Sequence, residues 1–182
     1  MQKKGTILGI TLLTLAACSG AGTNCTERAE GTGYSICLPA DWEQVPEENL
    51  RAEGVPEETV AAFQMTNDRG GQRDNVVITK ERIKSGVTPE QYADVNVKIV
   101  EKTPEYRELE KREIEVDGEK TLLHAFSARA VPDLPARRYY QVSFAKDTTG
   151  YVVTGTLPLS VDETIEEALV EMITSVSFKK AE

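Results

Sequence analysis

The sequence predicts an α+β fold, in which an antiparallel β-sheet is flanked by helices. Three observations lead to this prediction. Short segments rich in β-branched residues alternate apolar and polar side chains and are separated by turn residues. Two other segments, one central and one C-terminal, repeat apolar residues at helical spacing behind capping residues. The elements follow one another as strand, helix, hairpin-linked strands and helix, an order that lets both helices pack on one sheet.

Residues 1–18 have the layout of a secretory signal. Lys3 and Lys4 precede an uncharged run of eleven residues from Ile7 to Ala17. A membrane-spanning helix needs about 20 apolar residues, so a permanent transmembrane helix is the weaker interpretation. The run ends in Leu15-Ala16-Ala17-Cys18, which resembles the lipobox of bacterial lipoproteins.

This resemblance implies that Cys18 becomes the N-terminus, carries a diacylglycerol thioether and is acylated on its amine by a fatty acid such as palmitate. Two or more acyl chains give stable anchoring, whereas one chain does not. The expected location is the extracytoplasmic face of the cell membrane or the outer membrane. Ser19 stands where an Asp would resemble an inner-membrane retention signal, which favours the outer membrane. The other interpretation is an ordinary signal peptide with Cys18 as an early cysteine.

Composition predicts one acidic domain. Removal of residues 1–17 would leave 165 of the 182 residues and, because Lys3 and Lys4 are lost, would change the formal charge from −9 to −11. The predicted organisation is a signal peptide over 1–17, a lipid-anchored tether over 18–33 and a single α+β domain over 34–182. No basic stripe is present, so nucleic-acid binding is not expected. The lipid is therefore the expected attachment to the membrane.

The cysteines predict one disulfide. If Cys18 is lipidated, Cys25 and Cys37 remain as an even pair in an oxidising compartment. A bridge between them closes a loop of about a dozen residues and is worth about 3 kcal/mol in the chain-entropy model. The alternative is two free thiols. The lone His124 is distant in sequence and no C-x-x-C is present, so neither a metal nor a cofactor is expected.

The first half of the domain contains two predicted strands. Tyr34 to Leu38 alternates as a strand, and after a Pro-Ala-Asp turn Trp42 is interpreted as a core residue rather than a ligand platform. Residues 43–73 are open to two interpretations, either a short helix opening at Val55 or a strand from Val60 to Met65. Asn75 to Lys80 is predicted as a strand because it is β-branched.

A helix is predicted after residue 87 from its start signals. Thr88 is the predicted N-cap, Pro89 occupies the first helical position and Gln91 closes a capping box. The residues expected to share its buried face are Tyr92, Val95 and Ile99.

The second half is predicted to be hairpins followed by a helix. The predicted strands are Arg112 to Val116, Lys120 to Ala128, Arg137 to Ala145 and Tyr151 to Leu157. Asp117-Gly118 is a tight hairpin turn signal. The final helix is expected from about Val161 to Val176, with a capping box formed by Ser160 and Glu163. Its apolar stripe comprises Ile165, Leu169, Met172, Ile173 and Val176.

Several of these segments resemble the PsbP-like lipoproteins of bacteria, including the DcrB-like group. They are Tyr34-Ser35-Ile36-Cys37-Leu38-Pro39-Ala40-Asp41-Trp42, Asn75-Val76-Val77-Ile78, Thr88-Pro89-Glu90-Gln91-Tyr92-Ala93, Tyr151-Val152-Val153-Thr154-Gly155-Thr156 and Ser175-Val176-Ser177-Phe178. The resemblance covers nearly the whole domain and implies an antiparallel sheet between helices. It implies a non-enzymatic accessory protein with a protein partner in the envelope, and it carries no catalytic residues.

The candidate binding surface consists of Arg137, Tyr139 and Gln141, which alternate onto one face of a predicted strand. If a helix covers that face, Tyr139 is a core residue instead. His124 lies on an apolar strand face and is interpreted as a buried structural histidine. The main functional hypothesis is a membrane-anchored binding or accessory module. The alternative is a small hydrolase or ligand-binding enzyme whose site is built from scattered carboxylates, Tyr and Arg.

Overall fold

The structure, a computed structural model, describes residues 25–51, 55–66 and 74–178. Within these ranges the strands are β1 (Cys25–Gly31), β2 (Tyr34–Pro39), β3 (Trp42–Gln44), β4 (Thr59–Met65), β5 (Asn75–Arg82), β6 (Arg107–Val116), β7 (Glu119–Ala128), β8 (Arg137–Lys146) and β9 (Thr149–Pro158). The helices are α1 (Pro89–Val100) and α2 (Glu163–Thr174), and a 3-10 helix covers Glu47–Arg51. The predicted α+β class is confirmed.

Seven strands form one antiparallel sheet in the order β3-β4-β5-β9-β8-β7-β6. The hairpin between β6 and β7 turns at Asp117 and Gly118, whose φ angles are 56° and 86°. Positive φ at both central residues matches the twist of the flanking strands, which is why Gly favours this turn. In the segment with two interpretations, β4 forms, so the strand interpretation is correct and the helix is wrong.

The predicted tether is wrong over Cys25–Gly31, because this segment is a strand that pairs antiparallel with β2. Its charged composition concealed the strand, yet Ala29 lies in the core. Arg28 donates to the Ser175 carbonyl at 3.0 Å. A disulfide joins Cys25 to Cys37 with a Cα–Cα distance of 5.3 Å. Residues 18–24 and the predicted signal peptide lie outside the described residues.

The main core lies between the sheet, α2 and the β1-β2 hairpin. Its largest fully buried members include Ile36, Phe63, Ile78, Leu123, Val142, Leu157, Leu169, Met172 and Ile173. Trp42 is buried in this core, as predicted. The predicted capping box at Ser160 is wrong, because the chain bends at Leu159 and Ser160 and the N-cap is Asp162.

Helix α1 packs against β7 and β8 on the opposite face of the sheet. Its predicted capping box is confirmed, since Gln91 N donates to Thr88 Oγ1 at 3.2 Å and Thr88 N donates to Gln91 Oε1 at 3.1 Å. The ring of Tyr92 lies where a side chain at Gly150 would stand, 2.4 Å from an ideal Cβ. The close approach requires glycine at that position.

The predicted buried face of α1 is correct for Tyr92 and wrong for two other residues. Val95 and Ile99 are 52% and 57% exposed, whereas Ala93 and Val97 are buried. The helix carries two apolar stripes, and the sheet contacts only the stripe formed with Ala93 and Val97. Apolar spacing alone does not distinguish two such stripes.

Candidate functional site

Arg137 and Arg138 are neighbours in β8 and therefore lie on opposite faces of the sheet. Arg137 is buried and its Nη2 donates to Asp74 Oδ1 at 2.8 Å, with 10% and 4% of the two side chains exposed. Its Nε donates to the Leu157 carbonyl at 3.3 Å. Arg137 therefore does not present an open cation on the candidate surface, because Asp74 neutralises it inside the fold.

Tyr139 is the last ring in an aromatic row that crosses the sheet. Its ring stacks on Phe126 at 5.1 Å, and Phe126 stacks on His124 at 4.9 Å. Tyr106 closes the other end of the row, 5.6 Å from Phe126. Burial raises the pKa of Tyr139 above its usual value. Tyr139 is half-buried, so it is neither a fully covered core residue nor an open platform.

Around Tyr139 the sheet presents an uncharged surface, which we call the neutral face. It comprises Ala62, Gln64, Asn75, Val77, Thr79, Tyr139, Gln141, Val152, Thr154 and Thr156, all half-buried. The register of β4, β5, β9 and β8 places them side by side. Charged residues lie at its margin, among them Glu43, which accepts a hydrogen bond from Gln64 at 2.7 Å.

A cavity of about 320 Å³ lies at one end of the neutral face. Its lining residues are Asn75, Val131, Leu134, Pro135, Arg137, Tyr139 and Thr156. Two of the three predicted surface residues, Arg137 and Tyr139, thus meet here. Gln141 lies beside them and donates to Thr154 Oγ1 at 3.2 Å. No local sequence pattern marks Asn75 and Thr156 as site residues, because only the strand register brings them to this cavity.

The opposite face of β8 carries a second polar cluster. Arg138 Nη1 donates to one oxygen of Glu166 in α2, and the Tyr140 hydroxyl donates to the other. Burial and the hydrogen bond to Glu166 raise the pKa of Tyr140 to about 12. This cluster borders a cavity of about 910 Å³, whose other carboxylates come from Glu110, Glu163, Glu167 and Glu171.

His124 is 2% exposed, in agreement with its interpretation as a buried histidine. Its Nε2 lies 3.0 Å from the Tyr106 hydroxyl, and Glu108 Oε2 lies 3.9 Å away. Burial holds the pKa of His124 below its usual value, while the nearby Glu108 carboxylate opposes that shift. The ring is closed off from solvent and packed against Tyr106 and Phe126, so it is a packing element and no general base is assigned to it.

Neither a metal-binding cluster nor a membrane-spanning helix is found within residues 25–51, 55–66 and 74–178. No group of three or more His, Cys, Asp or Glu side chains is placed to hold a metal ion there. No helix in the same ranges combines the length and the apolar character needed to cross a bilayer.

Comparison with known proteins places the fold. No protein-family model and no curated protein matches the sequence. The structure is similar to the solution structure of cyanobacterial PsbP (CyanoP) from Synechocystis sp. PCC 6803, with 14% identity and a TM-score of 0.59 over 91% of this chain and 99% of that one.

Two other solved structures resemble it to a similar degree. The protein of unknown function PA94 from Pseudomonas aeruginosa matches at 11% identity and a TM-score of 0.57, over 85% of this chain and 98% of that one. LpqN of Mycobacterium tuberculosis, involved in cell envelope biogenesis, matches at 12% identity and a TM-score of 0.57, over 82% and 85%. At these identities the likeness concerns the fold alone, and the domain has the PsbP-like fold that the sequence resemblance implied.

Proposed function

We propose that this protein is a lipid-anchored, extracytoplasmic accessory module that binds a partner in the cell envelope. The observation that carries the proposal is the lipobox-like Leu15-Ala16-Ala17-Cys18, followed after six residues by a folded domain that starts at Cys25. Extended, those six residues span about 20 Å. The disulfide fixes Cys25 to β2, so a lipid on Cys18 would hold the domain close to the bilayer.

The neutral face supports binding rather than catalysis as the role of the domain. Tyr139, Gln141 and Thr154 are half-buried and positioned by strands rather than loops, which gives a rigid surface. LpqN, a protein of the same fold, is described as involved in cell envelope biogenesis, which agrees with an envelope role. A shared fold does not determine function, so the anchor and the surface carry the argument.

The anchor is tested by growing cells with an alkyne-tagged fatty acid and measuring label on the purified protein. The wild type should carry label and lack residues 1–17 by mass spectrometry, because Cys18 would be the acylated N-terminus. Cys18→Ser should carry none. The matched control is Cys25→Ala with Cys37→Ala, which should keep the label. Label that survives Cys18→Ser would refute the anchor.

The partner is tested with a photoreactive amino acid placed at Thr154, on the neutral face, and in parallel at Glu119, an exposed position at the start of β7. Crosslinking in intact cells should give a reproducible adduct from Thr154 and none from Glu119. Equal adducts from both positions, or none from Thr154, would count against the neutral face as the binding surface.

The cavity beside Glu166 favours a second candidate, an enzyme whose site is built from carboxylates, Tyr140 and Arg138. Its weakness is that both Glu166 oxygens already accept hydrogen bonds, one from Arg138 and one from Tyr140. A carboxylate engaged in this way is a clamp between β8 and α2 rather than a free base. Hydrolysis of chromogenic esters or glycosides that disappears in Glu167→Gln, with folding unchanged, would favour the enzyme.

A further inference from the structure

We infer that the cavity beside Tyr139 binds one uncharged sugar ring of an envelope glycan, with the glycan chain continuing over the neutral face. The inference rests on the proposed function for the compartment in which such a glycan is met. The chemical class of the ligand follows from the charge of the neutral face, the Tyr139 ring and the polar groups of the cavity.

The neutral face differs in charge from the rest of this acidic chain. The chain has a formal charge of −9, yet the ten residues of the neutral face carry none. An anionic ligand would be repelled by the surrounding acidic domain. A cationic ligand would find no carboxylate among the ten residues of the face, and the nearest carboxylate at its margin, Glu43, already accepts a hydrogen bond from Gln64. Among the described residues, the Arg137 charge at the cavity is neutralised by Asp74 at 2.8 Å. The charge of the site therefore favours an uncharged ligand.

The Tyr139 ring is supported by a second aromatic ring. Phe126 stacks on one side of it with an interplanar angle of 20°. Thr156, its directly paired neighbour in β9, lies on the strand side away from Phe126, and Thr156 and Tyr139 both line the cavity. An aromatic ring supported from behind presents its electron-rich face to C–H groups, which the flat side of a sugar ring offers. Rings stacked in a row resist displacement, so the platform is preorganised.

The remaining lining of the cavity combines polar and apolar side chains. Thr156 supplies a hydroxyl, a group that donates to and accepts from sugar hydroxyls, and Asn75, which already has a contact within the protein, adds a polar amide to the lining. Val131 and Leu134, 52% and 37% exposed, form an apolar wall. A volume of about 320 Å³ is at the small end of the usual range of about 300–1,000 Å³, which suits a single ring rather than a large cofactor.

The test uses the mature lipoprotein in a zwitterionic detergent that has no sugar headgroup. Isothermal titration calorimetry is run with neutral chitotetraose and maltotetraose, and with deacetylated chitotetraose and an oligogalacturonate as cationic and anionic comparators. Binding of at least one neutral oligosaccharide in the micromolar to millimolar range is expected, with neither charged comparator bound as tightly. No heat from either neutral oligosaccharide, with the protein folded by circular dichroism, would overturn the inference.

Variants locate the site. Tyr139→Ala should weaken binding about tenfold, and Tyr139→Phe should retain it, because the ring face makes the contact. Leu134→Glu should abolish binding by placing a charge in the wall of the cavity. Its matched control is Leu159→Glu, since Leu159 is 49% exposed near the other cavity, and this variant should bind normally. Equal loss in both glutamate variants would overturn the inference.

Sugar binding can be tested even if the lipid anchor is refuted or the Tyr139→Ala variant does not fold. If labelling refutes the anchor, calorimetry still reports sugar binding, because it does not depend on the lipid. If Tyr139→Ala fails to fold, Leu134→Glu gives the same information from an exposed position. Concentration-dependent dimers that Leu134→Glu dissociates would overturn the inference, because a second copy of the chain would then occupy the face.

Discussion

Arg137 and Arg138 are adjacent and identical, but their environments differ. Arg137 pairs with Asp74 where the side chains are 10% and 4% exposed, whereas Arg138 pairs with Glu166 where they are 25% and 32% exposed. A buried charge depends fully on its partner, while a half-exposed charge is also solvated by water. The alternation of one strand thus makes one arginine a structural element beneath the neutral face and the other a clamp beside the larger of the two cavities described above.

The difference also separates the two faces of the sheet. The face under α2 has a continuous apolar core, and its cavity lies at the edge of that core. Within the part of the chain that the structure describes, α1 packs across β7 and β8 and the neutral face stays half-buried. The sheet therefore has one face closed by an apolar core and one face that remains partly accessible.

The largest expected effect comes from breaking the buried pair. Asp74→Ala leaves the Arg137 guanidinium buried without its partner, which should lower the free energy of unfolding by about 4 kcal/mol. Urea unfolding followed by circular dichroism measures it. The control is the double variant Asp74→Leu with Arg137→Leu, which removes both charges and should recover most of the loss. A loss under about 1 kcal/mol in Asp74→Ala would show that the pair is solvated like a surface pair.

The next effect compares the two helices. Leu169 of α2 is fully buried, so Leu169→Ala should lower the free energy of unfolding by about 3 kcal/mol through lost burial and a residual cavity. Ile99 of α1 is 57% exposed, and Ile99→Ala should change the same quantity by less than about 0.5 kcal/mol. Urea midpoints of the two variants, measured side by side, check this. Similar losses would mean that α1 is covered on the flank that carries Ile99.

A smaller effect is expected from the partly exposed ion pair of Arg138 and Glu166. Glu166→Gln removes the charge but keeps a group that can bond to Arg138 and Tyr140, and both side chains of the ion pair remain partly solvated. The free energy of unfolding should fall by about 1 kcal/mol. A double-mutant cycle with Tyr140→Phe would measure the coupling of the two contacts. A loss equal to that of Asp74→Ala would erase the contrast between the two arginines.

The sequence predicted the elements better than it predicted the surfaces. Capping residues placed the start of α1, and Asp117-Gly118 placed a hairpin, because both signals are local. The sequence left the disposition of Arg137 open, because Asp74 is 63 residues away and only the strand order brings the two side chains together. The exposure of Ile99 was missed for a related reason, since helical periodicity does not say which stripe meets the sheet.

The smallest effect concerns acid, and it tests whether the aromatic row behind Tyr139 is neutral. The folded pKa of His124 is below its ordinary value of 6.5, chiefly because burial disfavours the charged ring. Glu108 and Glu101 raise this pKa and Lys111 lowers it. As the pH falls, the unfolded chain therefore binds this proton first. Titration of His124 therefore leaves the free energy of unfolding unchanged above about pH 6.5. It lowers this free energy as the pH falls from there toward the folded pKa of His124.

The measurement is urea unfolding between pH 8 and pH 5, on the wild type and on His124→Phe, which keeps a ring in the row. Carboxylates titrate in both proteins, so only the difference between their slopes belongs to His124. The wild type should lose stability more steeply below about pH 6.5 than the variant does. Identical slopes would mean that folding does not lower the pKa of His124. The aromatic row behind Tyr139 would then become charged as soon as the pH falls below about 6.5, the ordinary pKa of histidine.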